Sequence, residues 1–480
     1  MGAQDLVVGL VPDANGALGG DLEERLRDLT HSWLRFKYAG PLLEEPSVED
    51  VLDRALERGA RYGFLLSGGD VARHAWRLGV VAALEEWAGE HRFLAAGTVL
   101  ADGEGGYGLS PRCLLVDLER YRELGRPDFG RPGDAPAEVA LPEVDPQAGA
   151  PACLRPSGAR GRRRPALPGW HLVHASLAGG LPVRPLPEEV GRTFLSLRPE
   201  SAAQADELRR LLGDGIVERE LDPAVLSRDQ LEFLGGVQRQ VRNCRRGIFV
   251  WNFEDYGDVE VPPPGLETPV PAVYSVAAGL KTNRILATHG FDGATRLVYF
   301  DYSPEALEFK RLLHEEWEGA DYPDFLRELF QRIPSERAFY QLWGGSSPEE
   351  LDWDVVEEAW GRELVRWGGA AALQEHWRRA RDLRIEYVLC NALDGGEALL
   401  RCVEDRAGAV VWWSNVFFSF FSNWYYSSDA RGRIYREWIR ALAARAPRAV
   451  CYGRDHLNAA VRGLRAAECA GALARNAEGG

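Results

Sequence analysis

The sequence predicts a mixed α/β protein of two domains, and three observations carry that reading. Short apolar runs at Leu6–Val11, Gly63–Leu66, Val273–Val276 and Leu297–Phe300 end in small or acidic residues and lead into amphipathic stretches. This strand, loop and helix alternation builds mainly parallel sheets covered by helices. The 480 residues exceed what one hydrophobic core fills. A break at Pro262-Pro263-Pro264-Gly265 then separates two such series, and the second domain is expected to start just after it.

Taken in order, Leu6–Val11 reads as a buried first strand closing at Pro12-Asp13, with a helix from about Leu22 to Trp33. Val48–Arg61 is amphipathic at helical spacing and precedes the strand Gly63–Leu66, which runs into Ser67-Gly68-Gly69-Asp70. Phe93–Gly97 and Cys113–Leu118 read as two further strands, the second flowing into Glu119-Arg120-Tyr121. From Arg131 to Pro168 the composition turns to Pro, Gly, Ala and Arg, so a mobile surface loop is expected there. Gly169–His174 closes the domain, and its histidines at 171 and 174 are either ligands or packing groups.

The stretch Leu114 to Arg122 resembles the strand-to-helix segment of GT-A glycosyltransferases. The resemblance implies a GT-A-like domain over residues 1–200, in which an Asp-x-Asp holds a divalent metal against a nucleotide sugar. Ser67-Gly68-Gly69-Asp70 stands at that place with a single carboxylate, a poor site for a metal that bridges two phosphates. No metal site is therefore expected.

A helical connector over 201–265 is expected next, from the patterns at Ala202–Leu212 and Ser227–Arg246. Its basic end, Arg239, Arg242, Arg245 and Arg246, is suited either to clamping an anion or to a solvated face. Gly247–Asn252 reads as a short strand.

Over 266–480, Val273–Val276 enters the small-residue turn Ala277-Ala278-Gly279, and Leu297–Phe300 ends on Asp301-Tyr302-Ser303-Pro304. A helix begins at that proline, and acidic, aromatic sequence from about 319 to 383 forms a helical insertion. Trp343, Trp353, Trp360, Trp367 and Trp377 suit its own core, a lid or a dimer interface. The third strand, Ile385–Cys390, ends at Asn391; the fourth, Ala409–Trp413, runs into Ser414-Asn415. Phe417, Phe418, Phe420, Phe421, Trp424, Tyr425 and Tyr426 follow, either as pocket wall or as core. A last strand, Ala449–Tyr452, and a helix from His456 to Leu464 are expected to complete the sheet.

This second series resembles the Rossmann-like domain of class I S-adenosylmethionine-dependent methyltransferases, with one glycine in the turn where that family has two or three. What the resemblance implies is a cofactor, S-adenosyl-L-methionine, held by Ala277, Ala278, Gly279, Asp301, Tyr302 and Asn391. The acid at the strand tip accepts from ribose hydroxyls, and Asn391 meets the adenine. Ser414 and Asn415 are the implied catalytic pair, orienting an acceptor that Phe417, Trp424 and Tyr425 hold. The implied reaction is methyl transfer, or aminocarboxypropyl transfer, to a small metabolite in biosynthesis such as bacterial secondary metabolism. Two alternatives stay open: a glycosyltransferase working in the first domain, and a non-catalytic binding or assembly protein whose sites have decayed.

The formal net charge of −15 argues against nucleic-acid and anionic-membrane surfaces. No apolar run reaches membrane-spanning length, and the amino terminus lacks a signal-peptide layout, so a cytoplasmic protein acting on a small molecule is expected. A homodimer through the insertion is compatible with this. Seven cysteines without a CxxC pair suggest neither a disulfide framework nor a zinc cluster. Only Lys37, Lys281 and Lys310 of the 57 basic residues are lysine, which reads as GC-rich coding.

Overall fold

The computed structural model describes all residues except 1–4, 13–19, 38–39, 41, 73–78, 136, 145–152, 214, 216–217, 252–255, 265, 267, 334–336, 342–350 and 479–480. The chain is mixed α/β and divides into two compact units, Met1–Gly236 and Val237–Gly480.

In the first unit, strands β1 (Leu6–Val11), β2 (Leu42–Glu44), β3 (Tyr62–Ser67), β4 (Asp70–Ala72), β5 (Ala95–Ala96), β6 (Val99–Ala101), β7 (Tyr107–Leu109) and β8 (Leu114–Asp117) alternate with helices α1 (Gly20–Lys37), α2 (Val48–Glu57), α3 (Gly79–Glu90) and α4 (Leu118–Glu123). The main sheet has the order β2-β1-β3-β8-β5. Its first three strands are parallel, and β8 runs antiparallel to both β3 and β5. All six residues of β1 are buried, as expected of a strand covered on both faces. Ser47 starts α2 by accepting from the Asp50 amide at 3.1 Å, and the helix buries Val48, Val51, Leu52 and Ala55. A side chain at Gly9 would come within 2.2 Å of Val51, so this helix lies close on the strand.

The expected loop over 131–168 is largely structured. Strands β9 (Ala137–Val144) and β10 (Leu154–Arg163) pair antiparallel, with a register shift between Pro156 and Arg160. Most of β10 is exposed, so its composition carries no apolar period to announce it, and its Pro, Gly and Arg content mimics a loop. Helix α5 (Trp170–Ala178) supports the hairpin, with Nδ1 of His174 accepting from the Ala140 amide at 2.7 Å. His171 contacts Asp128 at 2.6 Å, so each histidine has a structural partner. Past α6 (Glu188–Thr193), β11 (Phe194–Ser196) pairs with β4. Arg25 donates to the carbonyl of Leu212 in α7 (Ala202–Leu212), and Gln230, in α8 (Arg228–Cys244), donates to the carbonyls of Leu197 and Arg198. These bonds assign residues 201–236 to the first unit, so the expected connector is no body of its own and the division falls inside α8.

In the second unit, β12 (Gly247–Phe249), β13 (Ala272–Val276), β14 (Arg296–Asp301), β15 (Phe339–Gln341), β16 (Arg384–Leu389), β17 (Val410–Trp412), β18 (Val450–Arg454) and β19 (Ala460–Arg465) form two sheets. The larger has the order β16-β14-β13-β17-β18-β19, with its first five strands parallel. From β13 the chain builds outward through β14 and β16, then returns to add β17 and β18 on the other side. The order of strand addition therefore reverses between β13 and β17, and in open parallel sheets such a reversal is where ligands bind, at the strand carboxyl ends. Helices α9 (Lys281–His289) and α10 (Pro304–Glu316) connect the first strands. Ser303 caps α10 by accepting from Ala306 at 3.2 Å.

The helix expected over His456–Leu464 is instead the antiparallel strand β19. Asp455 accepts from the amides of Leu457 and Ala459 at 2.8 Å each, and Asn458 has φ +69, which closes a tight hairpin. The unit ends with α14 (Glu397–Cys402), α15 (Phe420–Tyr425), α16 (Ser428–Arg445) and α17 (Ala466–Glu478).

The insertion holds α11 (Tyr322–Arg332), α12 (Trp353–Trp367), α13 (Ala370–Arg381) and β15, which pairs in parallel with β12. Trp360 and Trp377 both pack on Trp317, just after α10, while Trp353 packs on Phe330 and Trp367 on His376. Trp377 is fully buried, donates to the Trp317 carbonyl at 2.8 Å and lies 4.7 Å from the Trp317 ring. Trp360 closes the same cluster, while Trp343 lies outside the described residues.

Burial holds three histidines of this unit neutral, lowering His289 and His376 to about 4 and His314 to about 3. The unfolded chain takes up their protons at an ordinary histidine value, so their contribution is whole above pH 6.5 and is lost as pH falls. Asp301 and Glu363, both raised by burial, act in the opposite direction. With three histidines set against two carboxyls, the expected net is a loss of stability as pH falls from 6.5 towards 4. Denaturant titrations across that range check it; stability that is flat or rises on acidification contradicts it.

Candidate functional site

The carboxyl ends of β13, β14, β16 and β17 bring most of the candidate residues to one edge of the larger sheet. Asp301 closes β14 opposite Leu389 and is 3% exposed. It accepts from the Ser303 amide at 3.0 Å, with the amides of Tyr302 and Ala277 also turned to it. Desolvation nevertheless pushes its carboxyl up to about 7. Lys310 of α10 is 1% exposed; burial lowers that ammonium to about 7, and the Asp301 charge partly offsets the loss.

The turn is buried throughout. The amides of Ala277, Ala278 and Gly279 donate to the carbonyls of Phe300, Val276 and Phe249 at 3.0, 2.9 and 2.9 Å. Gly279 has φ +42, in the left-handed region that a side chain disfavours, and its carbonyl accepts from Lys310. The next lysine, Lys281, opens α9 with a fully buried side chain, 2.8 Å from Asp258 and 5.7 Å from the Trp412 ring.

Asn391 and Tyr302 belong to one connected strip. Asn391 accepts from the Leu393 amide at 3.1 Å and donates to Asp394 at 2.7 Å. Asp394 also accepts from the Tyr426 hydroxyl at 3.3 Å. Tyr426 abuts Tyr425, which stacks on Phe421, which stacks on Tyr302, with ring centroids 4.7, 5.5 and 5.3 Å apart. The half-buried Tyr302 and Tyr425 thus share a face beside Asp301. Trp424 lies in α15, and its side chain is outside the described set.

Ser414 sits at the end of β17 with φ +54, uncommon for a residue with a side chain. Its carbonyl accepts from the Arg454 amide at 2.7 Å, and its hydroxyl reaches the Asn415 side-chain oxygen at 3.4 Å. Asn415 is half-buried. Phe417 is placed differently from the expected pocket wall. It has no exposed surface and packs 5.1 Å from Tyr435 and 5.3 Å from Trp438, so it is core.

Reading the sequence assigned Lys310 and Lys281 no role at the site. Their rarity was the available signal, since a coding bias that converts nearly every lysine to arginine leaves lysine where a guanidinium does not fit.

A nucleoside ligand fits the donors and acceptors of this edge in part. An acid at the strand tip and an aromatic face beside it suit a ribose and an adenine. The described turn amides are bonded within the protein, so the fit rests on side chains.

In the first unit, Asp70 is fully buried, accepting from the Ser67 amide at 2.8 Å and from Arg112 at 2.6 Å. Both oxygens are engaged, and among the described residues no group of three or more potential ligands is placed to hold a metal. Manganese is therefore expected to leave nucleotide-diphosphate binding unchanged. Micromolar, manganese-dependent binding of a nucleotide sugar that disappears in Asp70→Asn contradicts this.

No protein-family model, curated protein or solved structure matches this chain.

Proposed function

We propose that the second unit is a Rossmann-like, class I S-adenosylmethionine-dependent transferase acting on a small-molecule acceptor. We further propose that the first is a GT-A-like domain without metal-dependent sugar transfer, used to recognise substrate. The observation that carries this reading is the strand order, which reverses next to β13, with Asp301 at the tip of the adjoining strand. Ligands of open parallel sheets bind at such a reversal.

When bound, S-adenosylmethionine supplies an already activated sulfonium carbon, and the protein's part is alignment and exclusion of water. Asp301 accepts from the ribose hydroxyls beside the turn Ala277-Ala278-Gly279, while Tyr302 and the Asn391–Asp394 pair border the base. Ser414 and Asn415, at the end of the fourth parallel strand, orient the acceptor, and the half-buried Tyr425 offers it a ring face. The transferred group is methyl or aminocarboxypropyl, which the mass of the product distinguishes.

Calorimetry with S-adenosylhomocysteine and with a panel of nucleotide sugars tests the reading. Binding of the first and not the second is expected; binding of neither favours a scaffold or assembly role. Once an acceptor is found, Asn415→Ala is expected to lower turnover by at least about tenfold with cofactor affinity nearly intact, because orientation acts on the reacting group. Unchanged turnover removes Asn415 from the site.

A further inference from the structure

In the first unit, the hairpin β9–β10, the turn between β6 and β7 and helix α5 surround a pocket. Tyr107, Leu141, Trp170 and Val173 give it apolar walls, and the enclosed space is about 40 Å³, room for roughly three water-sized groups. Its charged lining is of one sign. The chain as a whole carries a net charge of −15, yet among the described residues no carboxylate lines this pocket, whereas Arg163, Arg164 and His174 do.

Both arginines are exposed, and among the described residues neither is held in an ion pair. A side chain at Gly105 would come within 3.2 Å of the Arg163 guanidinium, so that group lies against the β6–β7 turn at the edge of the pocket. The acid in the same turn is engaged by backbone: Asp102 accepts from the amides of Glu104 and Gly106 at 2.8 Å each. Nδ1 of His174 accepts from the Ala140 amide at 2.7 Å, and burial holds the imidazole below its ordinary value. At pH 7 the ring is therefore neutral with its proton on Nε2, which adds a third donor to the lining.

We propose that this pocket binds a short-chain aliphatic carboxylate, with a stem of about three carbons on the apolar walls and the carboxylate at the two arginines. The assignment does not depend on the reading of the second unit. A guanidinium matches a carboxylate through paired N–H donors, and apolar walls with a few convergent polar groups are what a small ligand needs. A cavity that takes a benzene ring encloses about 150 Å³, so this one excludes aryl acids. Inorganic phosphate would satisfy the arginines and leave the walls uncovered.

The test is calorimetry of the full chain with butyrate, with butyramide, which keeps the stem and loses the charge, and with inorganic phosphate, which keeps charge and has no stem. Butyrate is expected to bind with a Kd on the order of 1 mM, a range open to so few atoms, and the other two at least about tenfold more weakly. Arg163→Met combined with Arg164→Met is expected to weaken butyrate about tenfold or more. Ala166→Trp, which puts a ring at an exposed position of the lining, is expected to block it. All three positions are exposed, and unchanged melting temperatures show that the variants fold. Absence of saturable butyrate binding in wild type overturns the proposal. Equal binding of butyramide removes the carboxylate, equal binding of phosphate removes the stem, and either result overturns it. Butyrate affinity within twofold of wild type in either folded variant puts the anion elsewhere on the chain and overturns it too.

Discussion

Asp301→Ala is expected to cost about 1–3 kcal/mol of stability, because it leaves the buried Ser303 amide without its acceptor. In protein that still folds, S-adenosylhomocysteine affinity is expected to fall by roughly 1–3 kcal/mol for the lost charge-assisted contact to ribose. Denaturant unfolding, with calorimetry on the folded variant, separates the two effects. Unchanged stability means that the Ser303 amide finds another acceptor. Unchanged affinity in a folded variant withdraws Asp301 from the nucleoside site.

Phe417→Ala is expected to lower stability by about 3–5 kcal/mol, the cost of a cavity where a phenyl ring is removed from a packed site. The ring has no exposed surface and rests between Tyr435 and Trp438, so few neighbours can move in to fill the space. A fall in melting temperature on the order of 10 °C follows for a unit of this size. Asn415→Ala, two residues earlier and half-buried, is expected to move it little. If Phe417→Ala instead leaves melting unchanged and alters only acceptor binding, the ring belongs to the pocket.

The strands that could be read from the chain are those buried on both faces. Leu6–Val11, Val273–Val276 and Leu297–Phe300 are continuous apolar runs bounded by turns, and a parallel sheet demands that composition. The elements that escaped are held by backbone pairing with little burial. The hairpin β9–β10 is rich in Pro, Gly and Arg, and β19 alternates only weakly, so neither shows the period that betrays a strand. The unit boundary escaped for another reason: α8 runs through it without a change in composition. At the candidate site, the loops that carry Asp301, Asn391 and Ser414 follow from where strands end. The grip of Lys310 on Gly279, across 31 positions, does not, because no local pattern links a helical lysine to a distant carbonyl. The burial of Phe417 depends likewise on α16, which follows it in the chain.

The indole pairs of the second unit give it two internal optical reporters. Trp377 of the insertion lies 4.7 Å from Trp317 at the end of α10, and Trp413 and Trp438 meet edge to face at 5.0 Å between the main sheet and α16. Rings this close and rigidly crossed couple their electronic transitions, so each pair contributes its own near-ultraviolet circular dichroism band, lost when the rings come apart. Trp377→Phe and Trp438→Phe assign the two bands. Heating then shows whether insertion and sheet melt as one cooperative body, with coincident loss, or in sequence, with the insertion as a separately folding subdomain.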